Sequence, residues 1–545
     1  MSIEVPPPIP TPTRAWPALV RVPRDGRRWP GTVRAAVAVA LPGLLGLALG
    51  HDPAAATATL GAFAVVYGES RPYRVRWRAV SVAACVMVVG ALIGAVVGSA
   101  VHDAAASGGS ALWPLVLVLT MSAFVAVGAF MVDALRLGAP GAFLPLLAVE
   151  IASALPAAGV PVGHVVAWTA VGGVTAVAVA MSGCVARPRT PERAAVASAV
   201  AAVDAFDRTR DSAPRRHAAV KAVHAAWQCL HDAGIATQDH PLTRDLLEAQ
   251  DRCVSLLHGS ETALDTDRED LWRRVPAPRP TIRFRLERAA HLRGRSTLIV
   301  VRLLVACPAA GIVAMSLGVA RPDWAVITAA MILHQGPDRV LGTYRAVHRF
   351  AGTVLGLLVL AALKPIDPTG AVLVLVLAAS MAGVQAYLVR NYGLAMVFIT
   401  TLALLLAGLG SPDDLTGVTR DRLLETVIGV VVAVIVLWTV LPASYRRVLE
   451  DADGRVATTI ERIEATRDRS ETRELCRGLE FDLHSATTAA LVAAHTDPEW
   501  TERRWSRHHR INEAGYRVLA LSGTSWNDTG AARRSPRGPG SDARN

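Results

Sequence analysis

Two short apolar stretches of the sequence carry polar side chains that could bind a small organic anion. The stretches 54–68 and 323–336 each offer only about 15 apolar residues, whereas about 20 cross a bilayer comfortably as a helix. Hydroxyl, imidazole and amide groups can hydrogen-bond a carboxylate, and two arginines that follow the second stretch can pair with it. The candidate substrate-binding residues are Thr59, Tyr67, Thr328, His334, Gln335, Arg345 and Arg349.

The same residues also permit a purely structural interpretation. Short segments at corresponding places in two repeats are typical of a transporter's binding site. Small helices packed inside a bundle, with the arginines held at lipid headgroups, would produce the same pattern. The sequence leaves both interpretations open.

Glu150 is the most isolated ionisable residue within an apolar run, FLPLLAVEIASAL. A carboxylate inside a membrane is costly and is usually functional or paired. Glu150 is therefore a candidate for proton coupling; the alternatives are a structural pair with a neighbouring helix and an error in placing this segment. Arg422 and Glu425, close together near the start of the last apolar run, form a second candidate pair.

Sequence motifs of catalysis are lacking. P-loop, G-x-S-x-G and H-E-x-x-H patterns are absent, so neither enzyme activity nor a cofactor is expected. His217, His224 and His231 recur every seven residues, about 10.5 Å along a helix, which is too far for one metal ion. The six cysteines form no C-x-x-C pair, so free thiols and no metal site are expected.

The elements that must position these residues are membrane helices. The chain has 545 residues, a mean hydropathy of +0.36 and 19% charged residues, against about 25% in soluble globular proteins. Long apolar runs nearly free of charge indicate a polytopic membrane protein, with the lipid membrane as a partner. The net charge of +11 comes from arginines beside these runs, so no nucleic acid is expected as a partner.

The membrane helices are predicted to form two copies of one unit. Val33–Gly50 aligns with Val301–Gly318, and the junction Arg76–Gly90 resembles Thr343–Gly356. Such landmarks keep the same order in both halves, which indicates an internal duplication. The predicted apolar segments are 33–50, 54–68, 79–101, 112–132, 138–158 and 162–185, then 299–319, 323–336, 349–363, 370–389, 391–410 and 422–442.

The predicted fold is all-α: two parallel six-helix transmembrane repeats, each followed by a helical cytoplasmic domain. Arginines flank alternate loops, which predicts a multi-pass protein of the cell (plasma) membrane with both termini in the cytoplasm. The glycines Gly90, Gly94, Gly352 and Gly356 are spaced so that helix backbones can approach closely.

The domain organisation predicted from these patterns has six parts. They are a cytoplasmic N-terminal arm (1–32), the first six-helix repeat (33–185), a helical cytoplasmic domain (186–297), the second six-helix repeat (298–442), a helical cytoplasmic region (443–522) and a disordered tail (523–545).

The second copy resembles a known family. Arg321–Val359 is similar to the core of the fusaric-acid-resistance-like (FUSC) family of integral membrane transporters, and Arg422–Val436 resembles a later element of that family. The matching features include Trp324, Arg345, Arg349, Gly352, Thr353 and Gly356. The resemblance is looser over the first half. It implies two six-helix halves with cytoplasmic domains and the export of aromatic carboxylic acids; more distant relatives include organic-anion channels.

Taken together, the residues and the resemblance favour a secondary transporter that exports small organic, in particular aromatic, carboxylic acids across the cell membrane. The expected ligand is a small-molecule organic anion, and a homo-oligomer is a further expectation. Two alternatives remain: a passive organic-anion channel, and a membrane scaffold whose cytoplasmic domains dock other proteins.

Overall fold

The computed structural model describes residues 8–10, 19, 29–51, 54–69, 71–138, 140–209, 213–236, 240–258, 278–291, 293–408 and 415–524. Within these ranges every regular element is a helix. Most of the predicted N-terminal arm and nearly all of the predicted tail lie outside the described residues. The all-α class predicted from the sequence is confirmed.

Six helical segments make up the first repeat, and three helices follow it. The repeat comprises α1 (Trp29–Ala48), α2 (Ala54–Gly68), α3 (Tyr73–Ala106), α4 (Trp113–Ala134), α5 (Phe143–Ala154) and α6 (Val162–Met181). The helices after it are α7 (Thr190–Asp207), α8 (Ala213–Ala233) and α9 (Pro241–His258).

A short helix, α10 (Ile282–Ala289), precedes the second repeat. The second repeat comprises α11 (Arg295–Ser316), α12 (Asp323–Leu333), α13 (Arg339–Leu363), α14 (Gly370–Tyr387), α15 (Tyr392–Ala407) and α16 (Leu415–Thr439). The last three helices are α17 (Ser444–Ala465), α18 (Arg469–Thr496) and α19 (Pro498–Thr524).

Helix length divides each repeat in the same way. Among the described residues, eight helices are long and apolar enough to cross a membrane: the first, third, fourth and sixth of each repeat. The protein is therefore a multi-pass membrane protein. The second and fifth helices of each repeat, α2, α5, α12 and α15, are shorter apolar helices.

The sequence predicted the short α2 and α12 but assigned α5 and α15 lengths sufficient to span a membrane, whereas α15 has 16 residues. The predicted segment 138–158 was wrong at both ends, since α5 has only 12 residues. Gly141 before the helix and Gly159 after it have positive φ values of 73° and 78°. Apolar residues near these two turns extend the hydrophobic run without extending the helix.

The short helices lie inside the membrane unit. Every residue of α12 is buried, as is Phe143–Ser153 of α5. In the eight long helices only 39–50% of the apolar window is buried, and the rest of their apolar surface faces outward. A helix that is apolar on all sides belongs in the interior, which is where these short helices are found.

Helix packing repeats from one half to the other. In the first repeat α3 packs on α5 and α6, and α2 packs on α6; in the second, α13 packs on α15 and α16, and α12 packs on α16. Between the halves, α1 packs on α14 and α11 packs on α4. This reciprocal arrangement is that of two parallel copies of one six-helix unit.

The glycines singled out in the sequence lie where the third and fifth helices of each repeat meet. An added Cβ at each would lie 3.3 Å or less from a main-chain oxygen of the facing helix. The oxygens belong to Pro145 for Gly90, Val149 for Gly94, Gly393 for Gly352 and Val397 for Gly356. A side chain at these positions would push the two helices apart.

The described residues of the polar regions, within 189–281 and 449–524, form a second compact unit. Helices α7, α8 and α9 share an apolar core that includes Phe206, Trp227 and Leu246. His224 lies 3.3 Å from the Glu480 carboxylate, and the His231 ring contacts Trp227. The two histidines therefore pack against neighbours, while the side chain of His217 lies outside the described residues.

Candidate functional site

Buried polar side chains of the second repeat gather at the two ends of α12. The helix has 11 residues, so its ends are about 16 Å apart. We call its first turn, with Asp323 and Trp324, the Trp324 end. We call the turn that follows Leu333 the His334 end.

At the Trp324 end, one arginine holds two carboxylates. Nη2 of Arg321 donates to Oε1 of Glu150 and to Oδ2 of Asp323, at 2.7 Å in both cases. The Glu150 carboxylate is completely buried, whereas 30% of the Arg321 side chain is exposed. Because Glu150 is on α5, this ion pair joins the first repeat to the second.

A second arginine at this end stacks on the indole. Cζ of Arg422 lies 3.3 Å from the centroid of the Trp324 ring, a cation–π contact. Its Nη1 is 3.6 Å from Oε2 of Glu425, beyond hydrogen-bond distance, and both side chains are almost fully buried. None of the three guanidinium nitrogens of Arg422 forms a hydrogen bond with a described residue.

At the His334 end, two arginines of α13 point into the interior. Nε of Arg345 donates to the carbonyl oxygen of Ile332 at 2.9 Å, while its Nη2 has no described partner. Arg349 is 1% exposed; its Nη1 contacts the sulfur of Met396 and its Nε has no described partner. No ion pair links either guanidinium to a carboxylate among the described residues.

Tyr392 lies beside these arginines. Its hydroxyl is buried without a described hydrogen-bond partner, and it is within electrostatic range of both Arg345 and Arg349. The His334 end therefore combines two cationic groups with a hydroxyl donor. Asp338 is within electrostatic range of Arg345, and Arg349 is within range of Glu150 and Arg422 at the Trp324 end, but no described carboxylate forms an ion pair with either guanidinium.

The structure brings Tyr67 and His334 to the same turn. The Tyr67 hydroxyl donates to the carbonyl oxygen of Gly141 at 2.7 Å. An added Cβ at Gly141 would lie 3.0 Å from Cδ2 of His334. Tyr67 ends α2 and His334 follows α12, so the corresponding ends of the two short helices meet at one turn. Nε2 of His334 is buried without a described partner.

The remaining predicted binding residues are dispersed. Thr328 lies midway along α12, completely buried, and its hydroxyl has no described partner. Thr59 is buried within α2 of the first repeat. Gln335 is exposed, and its main-chain oxygen accepts a hydrogen bond from Arg295.

Arg76, a buried arginine of the first repeat, provides a contrast. Its side chain donates to the main-chain oxygens of Arg71, Glu69 and Ala180. This fold can therefore satisfy a buried guanidinium with its own carbonyl groups. Arg345 and Arg349 each have one buried nitrogen without a described partner, as Arg34 of the first repeat does, whereas Arg422 has three. Buried polar groups without partners are costly.

Sequence reasoning did not find Arg321 as the partner of Glu150, nor the stacking of Arg422 on Trp324. The sequence signal for these contacts is the charged residues, such as Asp323 and Arg422, at the start of apolar helices. Hydropathy marks such residues as unusual but does not say which ones meet. Among the described residues, no group of three side chains is arranged to hold a metal ion.

Residues 309–436 match the family model described as fusaric acid resistance protein-like. The second repeat contains a FUSC-like domain. This domain includes α12 to α15 and nearly all of α16. It therefore contains the residues of both ends of α12 except Glu150, Tyr67 and Gly141, which belong to the first repeat. The family resemblance predicted from Arg321–Val359 is confirmed.

A curated relative matches over a shorter length. The chain is 35% identical over 98 residues to "Uncharacterized membrane protein YvaC" of Bacillus subtilis (strain 168). The match covers 18% of this chain and 15% of that protein. No solved structure matches the chain. A FUSC-like domain within a multi-helix membrane unit supports a general role in membrane transport.

Proposed function

We propose that this protein is a secondary transporter that exports small organic acids, in particular aromatic carboxylic acids, across the cell membrane. The observation that supports it most is that the half-buried Arg345 and the buried Arg349 both have guanidinium nitrogens without a described acceptor and form no ion pair with a described carboxylate. An unpaired buried charge costs several kcal/mol. A carboxylate ligand would supply both the missing charge and the missing acceptors.

The proposed carboxylate site is the His334 end of α12. Arg345 and Arg349 pair with the acid, while Tyr392 and His334 offer additional hydrogen-bonding groups. Tyr67 contributes through the turn at Gly141 rather than by direct contact, because its hydroxyl is already bonded there. The aromatic character of the substrate is proposed from the family resemblance.

We further propose how the protein is oriented in the membrane and what drives transport. Arginines beside alternate loops favour cytoplasmic termini, so the His334 end would face the cytoplasm and the Trp324 end the exterior. Glu150 is proposed to couple transport to protons, because a buried carboxylate between the repeats could change both its partner and its protonation during the cycle. We propose no catalytic role.

The test is uptake of labelled aromatic and aliphatic carboxylates into inverted membrane vesicles, with and without an inside-acid pH gradient. Accumulation that depends on the gradient and exceeds an empty-vector control is the expected result. Flux that only equilibrates would favour the passive channel. No flux for any acid, together with a stoichiometric partner bound to the polar unit, would favour the scaffold.

A further inference from the structure

The guanidinium of Arg422 is buried as deeply as that of Arg76, but it lacks the hydrogen bonds that satisfy Arg76. The Arg422 side chain is 2% exposed, and Trp324 covers one face at 3.3 Å. The stacking fixes the plane of the guanidinium but leaves its N–H groups, which lie in that plane, unused. These N–H groups form a fork suited to a carboxylate.

Glu425 lies beside these N–H groups but accepts no hydrogen bond from them. Its Oε2 is 3.6 Å from Nη1 of Arg422, whereas the Arg321 ion pairs measure 2.7 Å. Two residues at i and i+3 on one helix can approach each other, but here they stop short of a hydrogen bond. Glu425 therefore balances the charge of Arg422 without satisfying its donors.

One helical turn beyond Trp324, α12 carries a second buried donor. Thr328 is four residues after Trp324, so the two side chains share one face of α12. Its hydroxyl is completely buried and has no described partner. Helix α16 packs closely on this face, since an added Cβ at Gly429 would lie 2.6 Å from Cβ of Thr328.

From this geometry we infer that Arg422 is a second carboxylate-binding station, in which Glu425 stands in for the substrate carboxylate when no acid is bound. The carboxylate of an incoming acid accepts hydrogen bonds from the N–H groups of Arg422, and the Glu425 side chain moves away from Arg422. The indole of Trp324 lies against the same guanidinium, which favours acids that carry an aromatic ring over aliphatic ones. The inference rests on the proposed function, because its ligand is the transported acid.

The two ends of α12 then act as successive stations for one anion. At the His334 end no described carboxylate forms an ion pair with the arginines, so an acid supplies the close partner that they lack. At the Trp324 end the acid must instead displace a resident carboxylate. An acid that binds less tightly at the second station is released more readily, which suits the exit side of an exporter.

The experiment measures the binding of benzoate to the purified full-length chain by isothermal titration, for the wild type and three variants. Glu425→Gln removes the competing charge at nearly constant shape. Asp421→Asn removes one negative charge at a position four residues earlier on α16 and is the matched control. The double variant Arg422→Gln/Glu425→Gln removes the fork while leaving no unpaired carboxylate behind.

We expect Glu425→Gln to bind benzoate about tenfold more tightly at its weaker site, because each 1.4 kcal/mol of lost competition is about tenfold in Kd. Asp421→Asn should stay within about twofold of the wild type. The double variant should lose that site and keep the other. The Glu425→Gln substitution should increase the affinity for acetate less than it increases the affinity for benzoate.

Two failures are distinguishable. If the wild type binds benzoate and its vesicles transport it, but Glu425→Gln binds no more tightly than Asp421→Asn, the second station is wrong and the proposed function stands. If the wild type neither binds nor transports any acid, the proposed function fails and this inference fails with it. Size-exclusion chromatography and thermal unfolding establish that each variant is folded before its affinity is compared.

Discussion

The guanidinium of Arg321, just before α12, lies 2.7 Å from the carboxylate of Glu150 on α5. The two residues belong to different repeats, and the carboxylate is completely buried. Asp323 accepts a hydrogen bond from the same nitrogen. One arginine thus forms ion pairs with two carboxylates and joins the two halves of the membrane unit.

Replacement of Arg321 should therefore destabilise the protein strongly. Arg321→Gln leaves both carboxylates without their cation, and we expect a loss of about 3 kcal/mol in the free energy of unfolding. Thermal unfolding of the purified protein measures the effect. The double variant Arg321→Gln/Glu150→Gln should recover part of the loss, and equal stability of Arg321→Gln and wild type would contradict the importance of this pair.

Glu150→Gln separates the two roles considered for this carboxylate. Arg321 keeps Asp323 as a partner, so the variant should still fold and reach the membrane. If Glu150 couples transport to protons, acid accumulation driven by a pH gradient should be lost while exchange at equal pH remains. Vesicle uptake with and without a gradient measures both, and gradient-driven transport equal to that of wild type would remove Glu150 from the coupling mechanism.

Arg345→Gln should weaken the binding of the transported acid. The loss of a hydrogen bond to a charged group costs about 1.5–3 kcal/mol, so KM should rise by at least about tenfold. Arg78 aligns with Arg345 in the repeat but is exposed, with its guanidinium near Trp77, so Arg78→Gln is a suitable control. Equal KM values for the two variants would count against the site at the His334 end.

Gly94→Ala should disrupt the contact between α3 and α5. The added Cβ would lie 2.0 Å from the main-chain oxygen of Val149, and neither backbone can move without shifting a helix. We expect a loss of stability of about 1–3 kcal/mol or more, seen as a lower unfolding temperature. Gly163→Ala on α6 is the control because its Cβ would meet nothing within 4 Å. Similar unfolding temperatures for the two variants would show that this contact adapts easily.

Much of the membrane architecture could be predicted because lipid imposes a simple rule on sequence. Apolar runs predicted all twelve apolar helices of the two repeats, eight of them long enough to span a membrane. The duplication predicted which helix of one repeat corresponds to which helix of the other. The ends of the helices were predicted less accurately, since hydropathy does not distinguish the last turn of a helix from an apolar loop. At α5 the turns at Gly141 and Gly159 decide the length, and their backbone conformation has only a weak signal in sequence.

The charged partners could be predicted only in part. Arg422 and Glu425 are near neighbours in sequence, and the sequence paired them. Glu150 and Arg321 are 171 residues apart, and their contact depends on how α5 of one repeat meets the start of α12 in the other. Gln335 was grouped with His334 by proximity in sequence, although a helix end turns adjacent side chains in different directions and leaves Gln335 exposed.

The repeats share a helix arrangement but not their buried charges. In the first repeat Arg76 is held by three main-chain oxygens, whereas in the second Arg345, Arg349 and Arg422 keep unmet donors. Because only the second repeat carries these three arginines, the two repeats should tolerate amino-acid substitutions unequally. Random mutagenesis should find that α2 and α6 accept most substitutions that preserve apolar volume. The charged positions of α13 and α16 should accept almost none, so a map of permitted residues would reveal which half of the molecule selection has kept for recognition.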